Sequence, residues 1–365
     1  MYSVFSVVSV RIKSILLNYQ AISVRYATIL LLIILAAFST ACGRQNHDKD
    51  LIVFNGLTMG TSYTIKLGSA AAGTDRESIR RGIEKALHDV NQRMSTYLDN
   101  SELSIINKTE TTDKIPVSDE LSNLLATAMQ ISWYTNGAFD ITVGPLVNLW
   151  GFGPVKKKPV IPSREIIERT RAKTGYAKIK LGLDPDYIQK SQPDLYLDLS
   201  GIAKGYGVDQ VAAYLDTLAI KNYMIEVGGE VKAKGAKADG TSWRIGIEKP
   251  VSDQRRVERI IQLDNMGMAT SGDYRNYFEI DGKRYSHIID PATGYPVSHN
   301  LVSVSVMDEY TTRADALATA LIVMGPDKGV KFANDNKIAA MFIIRNGNGF
   351  TEKYTGPFEH YLINE

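Results

Sequence analysis

The sequence has 365 residues, 44% of them hydrophobic and 22% charged, the composition of a globular protein with chain enough for one large domain or two small ones. Its formal charge of +2 traces to the N-terminus: residues 1–41 carry Arg11, Lys13 and Arg25 and no acid, and removing those three from the 42 Lys+Arg leaves 39 against 40 Asp+Glu. That balance argues against nucleic acid as a partner, and a single cysteine excludes an internal disulfide framework.

Residues 27–38 (ATILLLIILAAF) form an apolar run behind these cations, and Ser39-Thr40-Ala41 then lead to Cys42. A basic stretch, an apolar stretch and small residues in that order predict an export signal over 1–41. The run is short against the roughly 20 residues of a membrane-spanning helix, so an uncleaved anchor would need residues 22–38 to insert together. A lone cysteine directly behind such a signal resembles the lipid-modified cysteine of bacterial lipoproteins, although Ser39 stands where those signals carry an apolar residue. The other reading of Cys42 is a free thiol near a chain end. Residues 42–50 are polar and read as a tether, which leaves 51–365 as the folded domain.

Two strand-like runs, LIVF and SYTIKL, flank the turn-forming stretch 56–61. Apolar residues at 79, 83, 86, 87, 90 and 94 predict a helix over 75–97, with a second short helix through Leu103 and Ile106. Ser118 is the expected N-cap of a helix ending at Asn136-Gly137. Residues 137–154 are rich in glycine, proline and aromatic side chains and read as loop; Lys156 to Pro159 read as a solvated linker; a capped helix follows over 163–173. Leu195-Tyr196-Leu197 reads as a strand that enters the glycine-rich turn 198–207, from which another helix runs. Strands are expected at 223–227, 231–233, 243–248, 259–263, 276–280, 301–307 and 338–344, with Thr270-Ser271-Gly272 in a connection between two of them. Asp281-Gly282 signals a hairpin, and a helix over 311–324 is expected to be capped by Thr311 or Thr312 and to stop at Gly325. The pattern is α+β: mixed, mainly antiparallel sheets with helices packed on them.

Four features carry possible chemistry. The turn 198–207 has the strand–glycine turn–helix shape that presents N–H groups to an anion, yet its glycines at 201, 205 and 207 fit neither a Walker loop nor a dinucleotide fingerprint. An ordinary β–α connection remains open there. Asp315 and Thr319 lie four apart on one helix face and could give two oxygens to a hard cation such as Mg²⁺. They could equally serve the helix dipole and a bond back to the backbone. His287, one of 5 histidines, sits in the turn-rich run 285–296. The loop 137–140 adds a Gly/Ala/Phe/Asp cluster. Together these suit a nucleotide pyrophosphate held on Mg²⁺, whereas no Ser-His-Asp, Cys-His or zinc signature is present.

Thr58-Met59-Gly60-Thr61, Met94-Ser95-Thr96-Tyr97, residues 137–153, 198–207, Thr270-Ser271-Gly272, 286–296 and 314–320 resemble, in order, the motifs of the ApbE family of exported flavin transferases. The resemblance implies the family's T-fold-related α+β architecture and an FAD:protein FMN transferase. Such an enzyme moves FMN from FAD to a threonine hydroxyl of an acceptor protein and releases AMP; typical acceptors are subunits of membrane redox complexes. By this resemblance Met59, Tyr97, Ala138, Phe139, Asp140, Asp198, Lys204 and Ile289 contact FAD. Gly201 (through its carbonyl), Asp315 and Thr319 hold Mg²⁺, and His287 takes part in the transfer. Gly207 stands where relatives often have alanine, and the residue matching Lys204 varies among them. An exported, membrane-anchored lipoprotein on the periplasmic face is implied as well. An FAD pyrophosphatase using the same site, and a flavin-binding lipoprotein without catalysis, are the alternative functions.

Overall fold

The structure, a computed structural model, describes residues 51–68, 75–154, 160–182, 184–251, 256–347 and 349–363. The expected signal, Cys42, the tether and the linker at 156–159 lie outside them. Among the described residues no helix is long and apolar enough to cross a membrane.

The chain enters through β1 (Ile52–Thr58) and β2 (Thr61–Leu67), paired antiparallel about Met59-Gly60. Both turn residues have positive φ, 50° and 72°, as a two-residue hairpin turn requires. There follow α1 (Arg76–Met94), α2 (Glu102–Lys108), β3 (Lys114–Pro116), α3 (Asp119–Tyr134), α4 (Gly144–Leu149) and α5 (Arg164–Arg171). The side chains of Asp75, Ser101, Ser118 and Ser163 accept first-turn N–H groups and start α1, α2, α3 and α5. Short strands β4 (Ile179–Gly182) and β5 (Tyr187–Lys190) precede α6 (Ala203–Thr217). The rest is β6 (Tyr223–Val227), β7 (Glu230–Lys234), β8 (Trp243–Glu248), β9 (Val257–Leu263), β10 (Met266–Gly272), β11 (Tyr277–Ile280), β12 (Lys283–Ser286), β13 (Leu301–Asp308), α7 (Thr311–Asp335), β14 (Ala339–Asn346), β15 (Gly349–Tyr354) and α8 (Gly356–Glu359).

The expected α+β class is what forms. An eight-stranded, wholly antiparallel sheet runs β1-β2-β6-β7-β10-β13-β14-β15, with a β3-β5-β4 sheet and the hairpins β8-β9 and β11-β12 beside it. Along β14, Ala340, Phe342 and Ile344 join the core under the helices, while Met341 and Ile343 join Trp243, Ile245 and Ile261 on the other face. This two-residue alternation sandwiches the sheet between α7 and the β8-β9 hairpin, so β13 is buried along almost its whole length. Helix α6 packs between α1 and α7.

Several local expectations change. Leu195 to Leu197 joins no strand: the Leu197 N–H and C=O bond instead to the side-chain amide of Asn107, at 2.8 and 2.9 Å. An asparagine thus replaces a neighbouring strand. Within the expected loop, residues 144–149 coil into a helix, with Pro145 in its first turn where a missing N–H costs nothing. Thr270-Ser271-Gly272 belongs to β10 rather than to a connection, because its hydroxyls find partners: Thr270 Oγ1 lies 2.8 Å from Ser305 Oγ across the ladder. Neither Thr311 nor Thr312 caps α7. The cap position is Tyr310, and the oxygen comes from α6, where the Asp209 carboxylate accepts from the N–H groups of Thr311 and Thr312 and the Thr312 hydroxyl. The first helical stretch of α7 ends at Gly325 as expected, where the backbone leaves helical geometry (φ 80°), and a second stretch begins at Pro326 and runs on to Asp335.

Candidate active site

The α6–α7 crossing sets the site. Gly205, in the first turn of α6, lies so close to α7 that a Cβ would stand 2.3 Å from the Thr311 carbonyl oxygen and 2.9 Å from Asp315 Cβ. Glycine therefore lets the helices touch, and the Gly205 N–H donates to Asp315 Oδ2 at 2.9 Å. Gly205→Ala is expected to force the helices apart and lower the chemical-denaturation stability by about 1–3 kcal/mol or more. An unchanged midpoint would contradict so tight a crossing.

Asp315 and Thr319 project from the same face of α7. Asp315 is 2% exposed, and its Oδ1 has the Lys204 ammonium at 3.7 Å, beyond hydrogen-bond length. The Thr319 hydroxyl lies 3.2 Å from Ser271 Oγ of β10. Gly201, just ahead of α6, closes the group: a Cβ there would be 3.4 Å from Thr319 Oγ1 and 3.2 Å from the Phe139 ring. These donors are all oxygen, and Asp315 Oδ1 has lone pairs to spare. Among the described residues no cluster of three or more His, Cys, Asp or Glu could hold a metal. One carboxylate with a hydroxyl nonetheless fits Mg²⁺, which keeps waters and substrate phosphates as its other ligands.

Lys204 spans two carboxylates. Its Nζ is 2.7 Å from Glu230 Oε1, a short charge-assisted bond, as well as 3.7 Å from Asp315. Burial works against the ammonium, but Asp315 and Glu230 outweigh it and raise the Lys204 pKa. Burial also raises Glu230, with Asp315 adding to the effect and Lys204 opposing it. The two directions conflict for an ion pair; the 2.7 Å contact to a firmly charged lysine decides for an ionised pair.

His287 follows β12 directly and is partly buried, edge-on to Phe152. The Asn276 carbonyl takes its backbone N–H at 3.1 Å and faces its Nδ1 at 3.0 Å. A carbonyl only accepts, so Nδ1 carries the hydrogen and Nε2 keeps a lone pair. Burial pushes the imidazole below the ordinary histidine value, the Asn276 bond opposes this, and the nearby Lys204 charge adds to the lowering. The neutral, base-competent form therefore persists to more acid pH than for a free histidine. A rate that depends on it is expected to fall on the acid side along a limb centred below about pH 6.5. An acid limb centred above pH 6.5 would contradict this environment.

The rim is built around Asp198. Its N–H donates to the Ile141 carbonyl, its Oδ1 accepts from the Ser200 N–H, and Gly144 packs against its Cβ. Tyr97, 68% exposed, and Tyr196 lie close enough that Asp198 adds to the upward shift burial gives both phenols. Met59 lies over Gly207, whose Cβ would be 2.7 Å from Met59 Cε. Lys204, Gly201, Phe139, Asp315 and Thr319 are thus one group, with His287 within electrostatic reach and Asp198, Tyr97 and Met59 at its margins.

Other predicted residues serve the frame. Asp140 is buried and accepts from the Thr142 N–H and hydroxyl and the Tyr176 N–H, so its carboxylate fixes the loop that carries Ala138 and Phe139. Ile289 is buried beside Leu146, Trp150 and Tyr285 and bridges to Pro296. The loop 287–297 is anchored where Trp150 Nε1 donates to the Gly294 carbonyl at 2.9 Å. Sequence reasoning missed Glu230, Asn276 and the role of Ser271. Only the Gly228-Gly229 turn ahead of Glu230 hinted at a special position.

Oxygen donors that suit a hard cation, set beside a helix start, a lysine and a base-competent histidine, are a combination able to act on phosphate linkages. A sequence profile of the ApbE family matches residues 59–342. The chain is 44% identical to the FAD:protein FMN transferase of Vibrio cholerae over 331 residues, 91% of this chain and 98% of that protein. It is 37% identical to the one from Escherichia coli K12, over 90% and 96% of the two chains. The solved flavin transferase ApbE from Vibrio cholerae matches the fold with a TM-score of 0.79 at 44% identity, covering 86% of this chain and 99% of that one. The apo form of the Pseudomonas stutzeri flavinyl transferase ApbE gives 0.79 at 42% identity, covering 86% and 96%. The chain belongs to the ApbE family.

Proposed function

We propose that this chain transfers FMN from FAD to a threonine hydroxyl of an acceptor protein, with Mg²⁺ as its cation and AMP as the second product. That it is an FAD:protein FMN transferase stands on the 44% identity over 91% of its length. The single observation that supports Mg²⁺ acting on the pyrophosphate is the oxygen-lined group of Asp315, Thr319 and Gly201 beside Lys204.

Asp315 Oδ1, the Thr319 hydroxyl and the Gly201 carbonyl would hold the cation, whose chemistry is to neutralise charge on the pyrophosphate. Threonine is a weak nucleophile at neutral pH, so its proton must leave as it attacks. His287 Nε2, with its lone pair free, accepts that proton. The threonine oxygen forms a bond to the FMN-side phosphorus, and the bond from that phosphorus to the AMP oxygen breaks. AMP leaves with the electron pair, and the proton returns to it or to solvent. Tyr97, Met59, Asp198, Lys204 and the loop 138–140 border the space for FAD, with Ile289 behind the His287 loop.

With an acceptor fragment, FAD and Mg²⁺, the expected products are AMP and flavin bound to one threonine, in equal amounts by chromatography. AMP with free FMN and an untouched fragment would instead identify an FAD pyrophosphatase.

We further propose that the protein is exported and anchored by lipid on Cys42, on the periplasmic face, where subunits of membrane redox complexes are its acceptors. Support comes from the order of cations, apolar run, small residues and lone cysteine. Cys42→Ser is expected to move the protein from the membrane to the soluble fraction; unchanged fractionation would contradict the anchor. One lipid chain binds only marginally, so a stable lipoprotein anchor needs more than one.

A further inference from the structure

Glu230 opens β7 directly after Gly228-Gly229 and is 1% exposed. Its Oε1 holds the Lys204 ammonium at 2.7 Å, and its Oε2 is buried without a hydrogen-bond partner among the described residues. Gly228 leaves room beside the lysine stem: a Cβ there would stand 2.7 Å from Thr61 Cγ2 and 3.1 Å from Lys204 Cδ.

The same ammonium is 3.7 Å from Asp315 Oδ1. Asp315 Oδ2 is already fixed by the Gly205 N–H, so Oδ1 is the oxygen left for a cation. A lysine and a divalent cation compete for that one atom. The lysine is tethered a short distance away on a flexible stem, which makes it a strong competitor. The Lys204 side chain is only 31% exposed, so an ammonium deprived of Glu230 has Asp315, already 3.7 Å away, as its nearest remaining carboxylate.

We infer that Glu230 is a positioning residue that holds Lys204 off Asp315 and so keeps Asp315 Oδ1 open for the divalent cation. The inference rests on Asp315 and Thr319 being cation ligands. It assigns Glu230 no contact with FAD or the acceptor.

The test is Mn²⁺ binding to the purified protein, followed by electron paramagnetic resonance without FAD. Glu230→Gln is expected to weaken Mn²⁺ binding by about tenfold or more, the scale of losing a group that orients a metal ligand. Glu230→Asp, which retains the charge, loses less. Lys204→Met binds Mn²⁺ at least as tightly as the unmodified protein. The double variant Glu230→Gln/Lys204→Met regains the affinity of Lys204→Met, because the competitor is gone. A double variant as weak as Glu230→Gln overturns the inference, since Glu230 would then act on the cation or the fold directly. So does a Glu230→Gln protein that binds like the unmodified one. Melting in EDTA identifies any unfolded variant; if Glu230→Gln does not fold, Glu230→Asp with and without Lys204→Met decides by the same rescue. Equal Mn²⁺ binding by the unmodified protein and Asp315→Asn refutes the ligand assignment itself and the inference with it, an outcome distinct from a failed rescue.

Discussion

Asp315→Ala is expected to lower flavin transfer by on the order of 10³-fold or more, far beyond its effect on folding. The carboxylate has two separable tasks. Oδ2 accepts from the Gly205 N–H at 2.9 Å and helps lock α6 to α7. Removing that acceptor leaves a buried N–H unpaired, at a cost of about 1–3 kcal/mol. Oδ1 faces Lys204 at 3.7 Å and is the proposed cation ligand. Asp315→Asn separates the tasks, because an amide oxygen can still accept from Gly205 while the negative charge is gone. It should therefore melt closer to the unmodified protein than Asp315→Ala does, yet transfer flavin as poorly. Turnover that survives either substitution with unaltered Mg²⁺ dependence would remove Asp315 from the ligand set.

His287→Gln should cost about 10²–10⁴-fold in the transfer rate with little loss of stability. The ring is partly buried and bonded through Nδ1 to the Asn276 carbonyl, and the backbone N–H makes its own bond to that oxygen. Glutamine leaves the backbone bond in place and can donate its amide to the same carbonyl, so the loop 287–297 keeps its Trp150 anchor. What it lacks is a basic nitrogen. The acid limb of the pH profile should vanish with it. A variant that keeps both rate and limb would show that some other group takes the threonine proton.

Local patterns carried much of this fold. The 3.6-residue periodicity found α1, α3 and α7, and capping serines placed the starts of α3 and α5. Two short stretches read differently because what satisfies their backbone has no local signature. Leu195 to Leu197 looked like a strand, but its backbone is satisfied by Asn107, 90 residues away. Residues 270–272 read as part of a connection, but Ser303 and Ser305 stand opposite Gly272 and Thr270 in β13. The start of α7 was visible while its cap was not, because Asp209 belongs to another helix. The site divides the same way. Asp315 and Thr319 were legible because an i,i+4 pair must share a helix face. Glu230 was not, because the Gly228-Gly229 turn marks a bend but not a carboxylate buried against a lysine 26 residues earlier. The carboxylate of Asp140 was visible but turned out to be spent on its own loop.

Flavin transfer to protein is read out by the intact mass of an acceptor. Incubated with this protein, FAD and Mg²⁺, the acceptor should gain the mass of FAD less AMP, which is one FMN less one water, and should gain none when Mg²⁺ is chelated or the acceptor threonine is replaced by alanine. An acceptor of unchanged mass while FAD is consumed would contradict the account.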